Sequence, residues 1–226
     1  MSPVRLDFAP SVPAGNRGRG YPPGVAERYG PTAALIVVDV QNDFADPDGS
    51  LFVQSAADIL PMVNSEARIA TEAGALVVYT QDWHPESTPH FAKDGGIWPV
   101  HCVAESWGAE FHPALDVVGP TVRKGTNGED GYSGFSMKHP ISGETMSTDL
   151  EGMLRERGID RVVVVGLATD YCVSATALDA IKLGFRTEVL QDAIASVDLQ
   201  PGDGERATNA MLAAGCVLGY CFGTLP

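Results

Sequence analysis

The chain has 226 residues, 44% of them hydrophobic, enough for one domain with a sizeable core. With 29 acidic against 15 basic residues the formal net charge is −14, so phosphate backbones and anionic lipid surfaces are repelled; neither nucleic acid nor membrane is an expected partner. A neutral small molecule meets no such barrier. No apolar run reaches the roughly 18 residues needed to cross a bilayer, and the N-terminus lacks the apolar stretch of a secretory signal. The four cysteines, Cys102, Cys172, Cys216 and Cys221, follow neither zinc-ribbon nor disulfide-framework spacing. A soluble cytoplasmic protein with reduced thiols is expected.

Residues 1–30 carry five prolines and five glycines without apolar periodicity, and read as an irregular extension preceding a domain over 31–226. At Ala33 the run Ala-Ala-Leu-Ile-Val-Val-Asp-Val begins, the pattern of a parallel strand buried on both faces. Helical spacing over 56–73 leads to a second apolar strand over 75–80. A long irregular stretch, 83–124, follows; connections of that length are usually functional. Thr148-Asp-Leu-Glu151 has capping-box spacing and predicts a helix to Arg157, followed by a strand over 161–165. A helix over 171–183, a strand over 186–190, a helix over 203–214 and a strand over 216–219 complete the alternation. The class is therefore α/β: a single-domain, doubly wound, mostly parallel sheet with helices on both faces. Functional residues should gather beyond the carboxyl ends of its strands.

Three polar clusters fall at such ends. Asp39 closes the first strand, and an aspartate there is ordinarily a turn or capping residue. Lys124 ends a short strand-like segment, and Cys172 opens a helix after Gly-Leu-Ala-Thr-Asp-Tyr. Taken singly, such a lysine is a solvated charge and such a cysteine a small apolar residue. Taken together, they describe acyl transfer. A helix start and a nearby lysine favour the thiolate, and a carboxylate can take the thiol proton and return it to a leaving amine. Backbone amides of the 168–172 turn, those of Ala168 and Cys172, suit an oxyanion hole. Asp82, His84, His90 and His101 form the third cluster, which brings three of the five histidines within twenty residues. A carboxylate with neutral imidazoles suits zinc, iron(II) or manganese, although a histidine-rich surface loop or a structural zinc site has the same spacing. His112 and His139, each before a proline, read as structural.

Five ordered motifs now stand together: Val-Asp39-Val-Gln-Asn-Asp-Phe44, Thr-Gln-Asp82-Trp-His84-Pro, Trp98-Pro-Val-His101-Cys102, Lys124-Gly with Gly-Tyr132-Ser-Gly-Phe135, and Gly-Leu167-Ala168-Thr-Asp-Tyr-Cys172-Val. The sequence resembles the nicotinamidase (pyrazinamidase) branch of the isochorismatase-like cysteine hydrolases over nearly all of 33–221. The resemblance implies the fold of those hydrolases and a catalytic triad of Asp39, Lys124 and Cys172. It also implies a cis peptide at Leu167–Ala168 and hydrolysis of nicotinamide to nicotinic acid and ammonia through a Cys172 thioester. It implies one divalent ion per chain, zinc first with iron or manganese as alternatives, beside the triad to anchor the pyridine ring. Asp82, His84 and His101 match the shared ligand positions; for the variable fourth, His90 is the candidate and Glu86 the reserve. Phe44, Trp98 and Tyr132 match positions lining the ring pocket. Such enzymes serve NAD salvage and are often homo-oligomers. The acidic stretch 126–131 departs from what this site leads one to expect, as does the N-terminal extension.

Two other readings compete. A related cysteine amidohydrolase could act on a carbamoyl, ureido or maleamate-type amide, but those relatives generally lack the metal motif. A silent metal-binding module would have lost a member of the triad, and all three are present.

Overall fold

The computed structural model describes residues 24–223, so most of the extension expected over 1–30 lies outside the described residues. In chain order the elements are α1 (Val25–Arg28), β1 (Ala33–Val38), α2 (Asn42–Ala45), α3 (Ala56–Glu72), β2 (Leu76–Asp82), β3 (Thr121–Lys124), β4 (Ser136–Lys138) and β5 (Thr145–Ser147). They continue with α4 (Leu150–Glu156), β6 (Arg161–Leu167), α5 (Ser174–Lys182), β7 (Arg186–Ala195), α6 (Asp203–Ala213) and β8 (Val217–Gly219). Six strands form a parallel sheet in the order β3-β2-β1-β6-β7-β8, and β4 and β5 pair as a separate antiparallel ribbon.

Period-two side-chain alternation divides the buried strands between two cores. Leu35 and Val37 of β1, with Val163 and Val165 of β6, meet Ile59, Leu60 and Val63 of α3. Ala34, Ile36 and Val38, with Val162 and Val164, meet Leu150 and Leu154 of α4, Ala177 and Ala180 of α5, and Met211 of α6. Helices thus cover both faces, as the run of β-branched residues predicts.

From β1 the chain builds outward to β2 and β3, then crosses back to β6 on the other side. The crevice at that reversal, beyond the ends of β1 and β6, is where doubly wound sheets bind ligands. Asp39 follows β1 directly and Ala168 follows β6. The parallel register sets Asp82 opposite Lys124 at the ends of β2 and β3. The Leu167–Ala168 peptide is cis, as the resemblance implies.

Two local expectations change. No capping box forms at 148–151: Asp149 occupies the cap, while Thr148 Oγ1 accepts from the Leu150 amide at 3.2 Å and donates to the Gly134 carbonyl at 2.6 Å. The helix expected from Tyr171 instead begins with one wide π-type turn, Thr169–Val173, because the Ala168 carbonyl accepts from the Val173 amide at 3.1 Å. Cys172 lies in that turn, ahead of α5.

Gly166 fixes the contact between β1 and β6. Its φ is +109°, and a Cβ there would stand 2.2 Å from the Val38 carbonyl oxygen. Gly166→Ala is expected to cost about 2–4 kcal/mol in urea unfolding, from strain and overlap together. Unchanged stability would contradict this packing.

Candidate active site

Lys124 ends β3 almost wholly buried, at 1% exposure. Its Nζ lies 2.9 Å from Asp39 Oδ2, in hydrogen-bond contact with Asp82 Oδ1, and 3.6 Å from Cys172 Sγ. The Asp39 contact is an ion pair set off the ideal hydrogen-bond direction. Asp39 Oδ1 accepts from Thr80 Oγ1 at 2.6 Å. One oxygen from each of Asp39 and Asp82 and the Cys172 sulfur all lie within 4.8 Å of one another. Asp39, Lys124 and Cys172, expected from separate strand ends, are thus brought together.

Burial pulls the lysine pKa down, but the charges of Asp39 and Asp82 outweigh it and hold the ammonium well above its ordinary value. Burial pushes the Asp39 carboxyl up, against Lys124. For Asp82, burial is overcome by Lys124 with His84 and His101, and the carboxyl falls to about 2. The thiol departs from expectation. Burial pushes Cys172 well above the ordinary thiol range, Asp39 and Asp82 add to this, and Lys124 opposes it. The wide turn with its lysine therefore does not by itself yield a thiolate.

Beside Asp82 the three histidines converge. Two short bridges fold the loop back on itself, His84 against Val103 and Phe91 against Trp98, which brings 101 and 90 alongside 84. One ring nitrogen from each of His84, His90 and His101 lies within 4.8 Å of the others, and ring centroids are 5.0–5.2 Å apart. His101 Nδ1 donates to the Pro99 carbonyl at 2.7 Å, and His90 Nδ1 lies 2.8 Å from Asp130 Oδ1. Neither nitrogen of the buried His84 ring has a hydrogen-bond partner. An orphaned buried polar group costs about 1–3 kcal/mol, and a cation accepting its lone pair relieves that cost. Burial also lowers the pKa of His84, to about 4, and of His101, so both are neutral, as ligation requires. The residues present fit a metal ion. Glu86 is exposed and outside the cluster.

Gly125 permits this approach. Its φ is +80°, and a Cβ would meet Cε1 and Nδ1 of His84 at 2.6 Å. Gln41 holds Asp82 by its backbone, donating to the Asp82 carbonyl at 2.7 Å and accepting from its amide at 2.8 Å.

A cavity reaches both the thiol and the histidine cluster. Phe44, Trp98 and Tyr132 line it, together with Asp82, His90, His101, Ala168 and Cys172. Trp98 Nε1 donates to Tyr132 Oη at 3.0 Å, and Tyr171 meets both rings edge-on, at 5.0 and 5.3 Å between centroids. Sequence reasoning missed Leu51, Val53, Tyr171 and Val197 in this wall. Tyr171 adjoins Cys172 and could have been found there; the three aliphatic residues carry no local signal. His112 and His139 are structural: the Nδ1 of each accepts nearby backbone amides.

The family model for the isochorismatase domain matches residues 33–218. The chain belongs to the isochorismatase family. A nicotinamidase of Acinetobacter baylyi is 41% identical to this isochorismatase-family chain over 203 residues, covering 80% of it and 89% of the relative. A crystal structure of the pyrazinamidase of Pyrococcus horikoshii in complex with zinc shares 43% identity with a TM-score of 0.74, covering 84% of this chain and 99% of that one. The PnC1 protein of L. infantum in complex with nicotinate shares 37% identity with a TM-score of 0.77, over 85% and 95% of the two chains.

Two outcomes follow from the buried charges. Lys124→Met leaves two carboxylates without their cation and is expected to destabilise the fold by about 3–5 kcal/mol in urea unfolding. A raised thiol pKa keeps the proton on sulfur to higher pH, so the ultraviolet difference between wild type and Cys172→Ala should show no thiolate absorbance at neutral pH. A thiolate signal at neutral pH would contradict this electrostatic arrangement.

Proposed function

We propose that this isochorismatase-family enzyme hydrolyses nicotinamide to nicotinic acid and ammonia, with Asp39, Lys124 and Cys172 as its triad. The observation that carries the proposal is one aromatic cavity whose lining includes the Cys172 thiol, grouped with Asp39 and Asp82, and two members of the histidine cluster, His90 and His101. Aromatic walls suit a flat ring, and a thiol and imidazoles in one cavity suit a ring that bears an amide and a nitrogen.

Asp39 takes the proton from Cys172 as the sulfur attacks the carboxamide carbon. Lys124 touches both groups and stabilises their anionic forms as the proton moves. Amides of Ala168 and Cys172 serve the developing oxyanion. Asp39 returns its proton to the leaving nitrogen, the C–N bond breaks, ammonia departs and the acyl group remains as a thioester. Asp39 then takes a proton from water, whose oxygen attacks the thioester; nicotinic acid leaves and the thiol is restored. The net charge of −14 poses no obstacle to a neutral amide.

Asp82, His84, His90 and His101 would hold a divalent ion, and zinc is proposed because this donor set suits it and the P. horikoshii neighbour is a zinc complex. When bound, such an ion supplies a Lewis-acid contact that anchors the ring nitrogen. Carbamoyl, ureido and maleamate-type amides offer the histidines no ring nitrogen. NAD salvage in a reducing cytoplasm is the proposed setting, and the nicotinamidase relatives support it. Among the described residues no helix is long and apolar enough to cross a membrane.

Ammonia release by the purified chain tests this reading. Zinc-loaded protein should turn over nicotinamide and pyrazinamide, chelation should abolish turnover, and restored zinc should recover it. Cys172→Ala should lower kcat by about 10³-fold or more. Robust turnover by that variant would sink the covalent route, and a loaded wild type active only on maleamate-type amides would overturn the substrate.

A further inference from the structure

The acidic stretch 126–131, which the catalytic reading leaves unused, lies against the metal loop at two points. Thr88 Oγ1 donates to the Gly128 carbonyl at 3.1 Å, and Asp130 Oδ1 stands 2.8 Å from Nδ1 of His90. A carboxylate only accepts, so Nδ1 of His90 is the donor, which leaves Nε2 as the nitrogen for a ligand. The Asp130 main chain is fixed separately: its amide donates to the Lys138 carbonyl at 2.9 Å, in an antiparallel bridge to β4. Glu129 braces the same loop by accepting from the Asn127 amide at 2.8 Å. The Asp130 side chain is 54% exposed, so its replacement leaves no buried void.

We propose that Asp130 is a positioning residue for the metal site: it sets the tautomer and tilt of His90. The inference rests on the reading of His90 as a metal ligand. Of the three clustered histidines, His101 takes its orientation from a backbone carbonyl, whereas His90 takes it from a charged side chain outside its own loop. A carboxylate in that role also raises the basicity of the ligating nitrogen. Because Gly131 and Tyr132 follow Asp130 directly into the cavity wall, the same contact ties metal binding to the placement of the ring pocket.

Zinc affinity measures this without recourse to turnover. Full-length protein stripped of metal would be titrated with zinc against a chromophoric chelator, as wild type, Asp130→Ala, Asp130→Glu, His90→Ala and the Asp130→Ala/His90→Ala double variant. Asp130→Ala should weaken zinc about 10–100-fold and Asp130→Glu should recover part of that loss. The double variant should bind no more weakly than His90→Ala, and the metal-free unfolding midpoint of Asp130→Ala should match the wild type. If Asp130→Ala binds as tightly as wild type while His90→Ala is weakened, the inference falls and the ligand reading stands. Additive losses in the double variant, or a lowered metal-free midpoint, would show that Asp130 acts through the loop fold instead and overturn the inference. Zinc affinity unchanged in His90→Ala would remove the ligand reading itself.

Discussion

The Lys124 ammonium is buried between the carboxylates of Asp39 and Asp82 and reaches the Cys172 sulfur. Charges this deep persist only when paired, and here one ammonium faces two carboxyl groups and a thiol. Burial first, with Asp39 and Asp82 adding to it against Lys124, pushes the Cys172 thiol up and disfavours a resting thiolate. The proton's route is short, since the carboxylate able to receive it is held by the same lysine. The parallel register of β2 and β3 produces this arrangement, setting Asp82 and Lys124 side by side at the strand ends.

Asp82 belongs to two charge systems. Its carboxylate holds Lys124, and it stabilises the charged forms of His84 and His101. The orphaned His84 ring suits a cation at the histidine cluster. Around these groups lies a supporting layer: Gln41 on the Asp82 backbone, Thr80 on Asp39, the bare Cα of Gly125 beneath His84, and Asp130 on His90. Each removes a freedom that the reacting groups would otherwise lose on binding substrate.

Much of the site is legible in the sequence because strand ends in an alternating α/β chain share one edge. Asp39, Asp82, Lys124 and Cys172 could be gathered on that rule alone, and the histidines follow from proximity in a single loop. What resisted reading depends on packing. The ionisation of Cys172 could not be inferred from a helix start, because burial and two carboxylates decide it. Leu51, Val53 and Val197 reach the cavity from three loop positions without periodicity. Thr148 spends its hydroxyl partly on Gly134 across the chain, so a capping-box spacing yields a different cap. The acidic stretch looked like an anomaly until Asp130 was seen against His90.

The central claim is that the Asp39–Lys124–Cys172 unit performs acyl transfer through sulfur. Rapid quenching of zinc-loaded protein with nicotinamide, followed by intact-mass and peptide mapping, tests this most directly. A nicotinoyl adduct on Cys172 that forms and decays in step with nicotinic acid release is expected. Nicotinic acid formed in a single turnover with no adduct, or an adduct on another residue, would contradict the account.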